Sequence, residues 1–335
     1  MGKISILDCT LRDGGHVNKG KFGYERIRNI IHSLNDSGID IIEIGFLRDI
    51  EYNKQCSDFS NISDVQNLKL ENITSKLCLL ARAGTYDFNK IESANEVINF
   101  IRIAFRKDEI KDAIIAANIL KEKGFKYFLN PIDVTSYSNN ELIEVISILN
   151  TIDPVGVAIV DTYGALTMKR FNDILEIFET SLNKNISLGI HLHENLSISN
   201  GLIQDYLINY KGNRNTIIDA SLFGMGRIPG NLPIELLITT LSKYSIGNYN
   251  LLPILSVIEN EILPEKKLKD WGYSQPYLIS AFFNIDRTFA ENCMNYNYEQ
   301  TYKILEAVKN SGEGSKYDKI LLDRIIKETF TRHEI

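Results

Sequence analysis

Two histidines separated by one residue, His191 and His193, stand at the end of an apolar, strand-like run, Ser187–His191. Side chains at i and i+2 of an extended segment point the same way, so both imidazoles can meet one ion. The chain holds only five histidines, His16, His32, His191, His193 and His333. Three of them fall in two short polar segments. The second segment, Thr10-Leu11-Arg12-Asp13-Gly14-Gly15-His16, follows the first strand-like run and sets a carboxylate beside a guanidinium. A His-x-His pair also occurs as two core histidines with satisfied hydrogen bonds, so this pair gains its weight from standing opposite Arg12 and Asp13. Two imidazoles and one carboxylate leave about half of an octahedral shell for water or a chelating substrate. Such a set from Asp13, His191 and His193 suits Mn²⁺ or Mg²⁺ with an oxygen-donor substrate, with Zn²⁺ and Fe²⁺ left open. Asn195 follows as a further ligand, a group that orients an imidazole, or the cap of the next helix.

For these groups to meet, the first and seventh strands must end at one face of one fold. Short β-type runs alternate with longer amphipathic ones along the chain, the pattern of parallel βα units. Eight strands are expected: Ile4–Asp8, Ile39–Gly45, Lys76–Ala81, Asn99–Phe105, Lys126–Asn130, Gly156–Asp161, Ser187–His191 and Thr216–Ser221. Helices are expected after each, near 24–37, 61–70, 89–97, 108–122, 139–150, 168–182, 197–210 and 231–243. Asn139 or Asn140 can cap the fifth, Pro233 sits in the first turn of the eighth, and Gly38 and Gly124 suit C-terminal caps. The fold class is therefore α/β, a (β/α)₈ TIM barrel over residues 1–245 with a helical C-terminal extension over 246–335. A doubly wound sheet is the alternative, but the first βα loop lacks its glycine-rich fingerprint.

In such a barrel, chemistry gathers at the C-terminal ends of the strands. Reading each end in turn gives Arg12, Asp13 and His16, then Glu43, Arg102, Asn130, Asp161, the histidine pair, and Gly224-Met225-Gly226-Arg227. Glu43, Arg102, Asn130 and Asp161 are expected to line the mouth and position substrate, or else to form a polar layer that closes the barrel.

The 335 residues are 44% hydrophobic and 24% charged, ordinary for a globular enzyme. A net charge of −6 with scattered lysines and arginines offers no nucleic-acid footprint. No run reaches the roughly 18 apolar residues of a membrane helix, no signal peptide is evident, and the four cysteines show no paired spacing. A cytoplasmic location is expected.

Four ordered segments resemble one family. Leu7-Asp8-Cys9-Thr10-Leu11-Arg12-Asp13-Gly14 is similar to the opening motif of the HMG-CoA lyase-like (DRE-TIM metallolyase) superfamily. Val160-Asp161-Thr162-Tyr163-Gly164, His191-Leu192-His193-Glu194-Asn195 and Asp219-Ala220-Ser221 with Gly224-Met225-Gly226-Arg227 and Gly230-Asn231 resemble its motifs at strands six, seven and eight. The resemblance covers residues 3–245. It implies Asp13, His191 and His193 as metal ligands, Arg12 as the group that stabilises an enolate oxygen, and Asp8 as a support near that arginine or the strand-seven residues. His16 follows Arg12-Asp13-Gly14-Gly15, a spacing similar to 4-hydroxy-2-oxovalerate aldolase, and becomes the acid/base candidate. A catalytic tyrosine is implied in the C-terminal region. Tyr273 and Tyr277 both qualify and both read equally well as packing residues; Tyr277 is the expected one.

The resemblance thus implies a divalent-metal-dependent carbon–carbon lyase that cleaves or forms a 4-hydroxy-2-oxo acid through a pyruvate enolate. Pyruvate and an aldehyde are the expected small-molecule partners, and self-association is left open. The C-terminal region does not match the segment by which such aldolases contact an acylating aldehyde dehydrogenase, which argues against that partner. The alternative within the superfamily is a Claisen-type acyl-CoA condensing enzyme or lyase. The absence of Glu-Gln after Arg12-Asp13-Gly14 argues against the condensing form.

Overall fold

Eight strands alternate their side chains between a helix-covered exterior and a common interior, and they close on themselves. In a computed structural model, which describes residues 2–210 and 212–331, they are β1 (Ile4–Asp8), β2 (Ile41–Leu47), β3 (Lys76–Arg82), β4 (Phe100–Phe105), β5 (Tyr127–Pro131), β6 (Gly156–Asp161), β7 (Ser187–Leu192) and β8 (Thr216–Ala220). Each pairs in parallel with its neighbours in sequence, and β8 and β2 both pair with β1, so the sheet is a closed (β/α)₈ barrel. His333 lies outside the described residues.

The interior follows the two-residue period. Leu7, Ile41, Phe100, Phe128 and Ile217 form an apolar plug. Two residues further along β2, β4, β5 and β8 stand Glu43, Arg102, Asn130 and Asp219. A polar layer therefore sits on an apolar base, on the side where the strands end. Outside the strands, a continuous core joins the barrel to its helices, among them Tyr24–Asp36, Ile110–Glu122, Asn139–Thr151 and Met168–Ser181.

Local signals explain most boundaries. Gly38 and Gly124 adopt φ of 76° and 85° just past their helices, the left-handed cap a glycine supplies most easily. The fifth βα helix is capped by Ser138 rather than by Asn139 or Asn140. Its hydroxyl accepts from Glu141 N while Glu141 accepts from Ser138 N. Pro233 is the cap residue itself, one place ahead of the helix Ile234–Lys243.

Two expected helices differ. The region 61–70 forms a 3₁₀ segment, Ile62–Leu68. The region 89–97 forms only the turn Phe88–Lys90. Asparagine side chains take the amides a helix would need there: Asn95 Oδ1 accepts from Val97 N and Ile98 N, and Asn61 Oδ1 from Glu92 N.

Beyond the barrel the chain is helical. Ile254, Val257, Ile258, Ile262 and Trp271 pack into the barrel's own core. The later helices Gln275–Phe282, Tyr298–Ser311 and Lys319–Thr331 belong to a second core that includes Ile285, Phe289, Ile304, Leu305 and Leu322. This second unit sits over the loops at the strand ends. Arg106 pairs with Asp286 at 3.4 Å, Asn284 Nδ2 donates to Thr135 O, and Arg287 Nη1 donates to the carbonyls of Arg227 and Ile228.

Candidate metal centre and catalytic cavity

The loop after β1 turns at once into a short helix, Thr10–Asp13. Asp8 ties this turn down. It accepts from Thr10 N and Thr10 Oγ1, and Thr10 Oγ1 in turn accepts from Leu222 N beyond β8. Asp8 therefore joins the first and eighth loops and makes no bond to Arg12 or to β7. Its carboxyl is pushed up to about 7 by burial, with Glu43 and Asp219 nearby and the Thr10 bonds opposing.

Asp13, His191 and His193 are all buried, and one ligand atom from each lies within 4.8 Å of the others. His191 Nδ1 lies 3.0 Å from Asp219 Oδ2, and His193 Nδ1 lies 3.1 Å from the Gly230 carbonyl. Both partners accept, so each Nδ1 donates and Nε2 is the ring nitrogen left to meet an ion. Burial lowers the His193 pKa to about 3, with Asp13 pulling the other way, so this ring is neutral at pH 7. Burial alone would raise the Asp13 carboxyl, but the Arg12 guanidinium more than offsets it and holds Asp13 well below the usual carboxylate range, with His193 and His16 adding to this only where they are charged. Two imidazoles and a carboxylate, oriented by outer bonds, fit a divalent cation.

Asp13 is itself held on three sides. Arg12 Nη1 donates to Oδ1 at 2.6 Å, and Asn231 Nδ2 and Arg227 N donate to Oδ2 at 2.8 and 3.1 Å. Gly226 makes this approach possible. A Cβ there would lie 2.7 Å from Asp13 Oδ2 and 2.4 Å from Asn231 Nδ2.

From Asp13 an unbroken chain of alternating charge crosses the barrel. Arg12 Nε donates to Glu43 Oε2 at 2.6 Å, and Arg102 donates to Glu43 Oε1 at 3.0 Å and to Asp219 Oδ2 at 2.5 Å. Asp219 closes the chain on His191. The strands concerned, β2, β4 and β8, are even-numbered ones, as a layer of a barrel interior requires. Glu43 and Arg102 thus connect two metal-competent side chains and do not line the cavity.

A cavity of about 340 Å³ opens above this layer. Arg12, Asp13, His16, Asn130, His191 and His193 line it. His16 stands at the mouth, its Nε2 3.9 Å from Asp13 Oδ1 and its ring edge-on to Phe46. Its side chain is 36% exposed, yet the crowding of the mouth lowers its pKa, against the pull of Asp13. Asn130 is buried and its Oδ1 has no hydrogen-bond partner.

A profile of the HMGL-like family matches residues 3–258. The chain belongs to the HMGL-like family. Among related proteins, the 4-hydroxy-2-oxovalerate aldolase of Geobacillus genomosp. 3 is 26% identical over 72% of this chain and 72% of its own. That of Bacillus thuringiensis is 23% identical over 95% of this chain and 94% of its own. The crystal structure of an N-terminal domain from a Bacteroides vulgatus protein superposes with a TM-score of 0.73 at 25% identity, over 88% of this chain and 98% of that one. The HMG-CoA lyase of Brucella melitensis, 17% identical over 77% of this chain and 96% of its own, shares the fold with a TM-score of 0.63.

Against this HMGL-like frame, several expected site residues fall elsewhere. Asp161 does not line the cavity. Its carboxylate accepts from Ala165 N and Leu166 N and so shapes the loop after β6; burial raises it to about 7 against those bonds. Tyr277, expected as a catalytic group, packs into the second core and is not among the residues that line the cavity, and its carbonyl accepts from Asn195 Nδ2 at 3.4 Å. Tyr273 is exposed. Asn195 makes no cap bond to the helix Ser199–Asn209, and its buried Oδ1 lacks a partner. The turn Gly224–Gly226 brings Gly226 against Asp13. Arg48, Arg82, Arg227 and Arg287 also line the cavity; Arg48 and Arg82 stand at the ends of β2 and β3 but are not among the expected site residues, and Arg287 lies beyond the barrel.

Asp219→Asn tests the outer support. It keeps the size of the side chain but removes the fixed acceptor for His191 and a partner of Arg102. Affinity for Mn²⁺, read by calorimetric titration, is expected to fall about 10–100-fold. Unchanged affinity would mean that His191 is oriented by something else.

Proposed function

We propose that this protein is a divalent-metal-dependent aldolase that cleaves or forms a 4-hydroxy-2-oxo acid, with pyruvate as one product or substrate. The observation that carries the reading is the convergence of Asp13, His191 and His193 on one point of a cavity wall, beside a guanidinium with one nitrogen to spare. Arg12 bonds Glu43 through Nε and Asp13 through Nη1; Nη2 faces no hydrogen-bond partner among the described residues. The names of the relatives agree with the reading.

Asp13, His191 and His193 would hold the ion, with Mn²⁺ or Mg²⁺ suited to the donor set. When bound it supplies Lewis-acid polarisation and a template for the oxygens of a 2-oxo acid. The protein's own groups do the rest. In the cleavage direction His16 takes the proton of the 4-hydroxyl group. The C3–C4 bond breaks, C4 leaves as an aldehyde carbonyl, and the electron pair stays on the three-carbon fragment as an enolate. Arg12 Nη2 donates to the enolate oxygen as its charge grows. A proton delivered to C3 gives pyruvate. Condensation is the reverse, with His16 returning the proton to the new alkoxide. Asn130 Oδ1, unpartnered, is an acceptor for a substrate hydroxyl.

Assay with pyruvate, Mn²⁺ and a panel of aldehydes tests the reading. New 4-hydroxy-2-oxo acids are expected, with their formation abolished by chelator and restored by metal. Free CoA released from acetyl-CoA and a 2-oxo acid, with no aldol product, would overturn it. His16→Ala is expected to lower kcat by about 10²–10⁴-fold while Mn²⁺ affinity stays within about threefold of the parent. Unchanged turnover would remove His16 from the proton step.

A further inference from the structure

The outer wall of the cavity is cationic beyond what its own carboxylates balance. Arg48, Arg82, Arg227 and Arg287 line it together with Arg12, and Asp13 is the only acidic side chain among the lining residues. Arg48 Nε donates to Asp58 at 3.1 Å, and Arg82 Nη2 donates to both oxygens of Glu109 at 2.9 and 3.0 Å. Arg227 and Arg287 differ. Both lean on a single carboxylate, Glu291, whose Oε1 stands 3.8 Å from the Nε of each, too far for a hydrogen bond. Four guanidiniums thus face three carboxylates, and the shortfall lies at this pair.

Arg287 carries the argument furthest. It is 1% exposed, among the most completely buried of the large side chains. Nη1 donates to the carbonyls of Arg227 and Ile228 at 3.1 and 3.0 Å, which fixes the plane of the fork. Nε and Nη2 are buried with no hydrogen-bond partner. A buried guanidinium half-satisfied on a cavity wall is costly unless something completes it, and a fixed pair of N–H donors matches a carboxylate or phosphate edge. The same Arg227–Ile228 segment also donates Arg227 N to Asp13, so one stretch of backbone connects Arg287 to the metal-competent carboxylate.

The geometry points to a second anion subsite built on Arg287 and Arg227: the aldehyde half of the substrate carries an oxyanion, either a carboxylate or a phosphate, that docks between these two side chains. The inference rests on the aldolase reading. It makes the enzyme one whose aldehyde is a charged semialdehyde or an aldehyde phosphate, not a simple alkanal.

The test compares matched aldehydes with the Mn²⁺-loaded protein and pyruvate: succinic semialdehyde against butanal, and glyceraldehyde 3-phosphate against glyceraldehyde. At least one charged member is expected to exceed its neutral partner in kcat/KM on the order of 10²-fold, and the pair that shows it identifies the anion. Arg287→Met is expected to bring that ratio down by about tenfold or more. The ratio is measured within one preparation, so a partly unfolded variant lowers both rates and leaves it unmoved. If Arg287→Met does not fold, Arg227→Gln, whose side chain donates only to Thr288 Oγ1, makes the same measurement. Neutral aldehydes preferred throughout, or a ratio unaffected by these variants, overturns the inference. Exchange of the pyruvate methyl protons in deuterated water, which needs no aldehyde, separates the failures. With exchange present, a missing charge preference sinks the anion subsite alone; with exchange absent under Mn²⁺, the aldolase reading falls and takes the subsite with it.

Discussion

Asp13→Ala is expected to reduce metal-dependent pyruvate release by about 10³-fold or more, the largest loss from any single substitution in the cavity. Among the described residues, the carboxylate is one of three metal-competent groups that converge there. It is also the meeting point of Arg12, Asn231 and the Arg227 amide, so its removal frees all three at once. The fold should survive, because Arg12 keeps Glu43 and the chain from Glu43 through Arg102 to Asp219 is untouched. The measurement pairs turnover with calorimetric Mn²⁺ titration and a thermal melt. Turnover and affinity should fall together while the melt of the metal-free protein shifts by only a few degrees. Full activity after chelation and metal replacement would show that Asp13 is no ligand.

The second large effect is at Arg12. Arg12→Lys is expected to lower kcat by about 10²–10³-fold, or roughly 3–4 kcal/mol of transition-state stabilisation, with a smaller change in KM. Charge alone does not substitute here. Arg12 lines the cavity and reaches Glu43 and Asp13 with two nitrogens, leaving a third without a hydrogen bond among the described residues, whereas a lysine offers one point charge that Glu43 or Asp13 would capture. Arg12→Ala should cost at least as much. A lysine variant with parental kcat would mean that the guanidinium does not meet the developing enolate.

Much of this was legible because it follows periodicity. Strand positions came from runs of apolar residues, and the strand-end rule then pointed at Asp13, His16, Asn130, His191 and His193, all of which line the cavity. The same rule left Glu43 and Arg102 open between lining the mouth and closing the barrel as a polar layer, and they form the layer. A charge near the end of a barrel strand can face up into the mouth or sideways to its neighbours, and alternation alone does not separate the two. Here each finds an opposite charge across the interior, which settles its direction. Asp161 was misplaced for a related reason: three backbone amides of the following loop, at Gly164, Ala165 and Leu166, compete for its carboxylate. The helix expected at 89–97 failed because asparagine side chains outcompete helical carbonyls for the local amides.

The arginine wall had no sequence signal of its own. Arg48 and Arg82 extend from strand ends whose polarity is common on any surface. Arg287 arrives from the turn that opens the short helix Thr288–Glu291, nearly seventy residues beyond the last strand, and only the docking of the second core over the barrel mouth brings it to the cavity. The same docking turns Tyr277 inward to packing.

The most direct test is an anomalous difference map from crystals grown with Mn²⁺. A single strong peak is expected about 2.1 Å from a carboxylate oxygen of Asp13 and from Nε2 of both His191 and His193. A peak elsewhere in the barrel, or these three side chains ordered with no peak between them at saturating metal, would contradict the account.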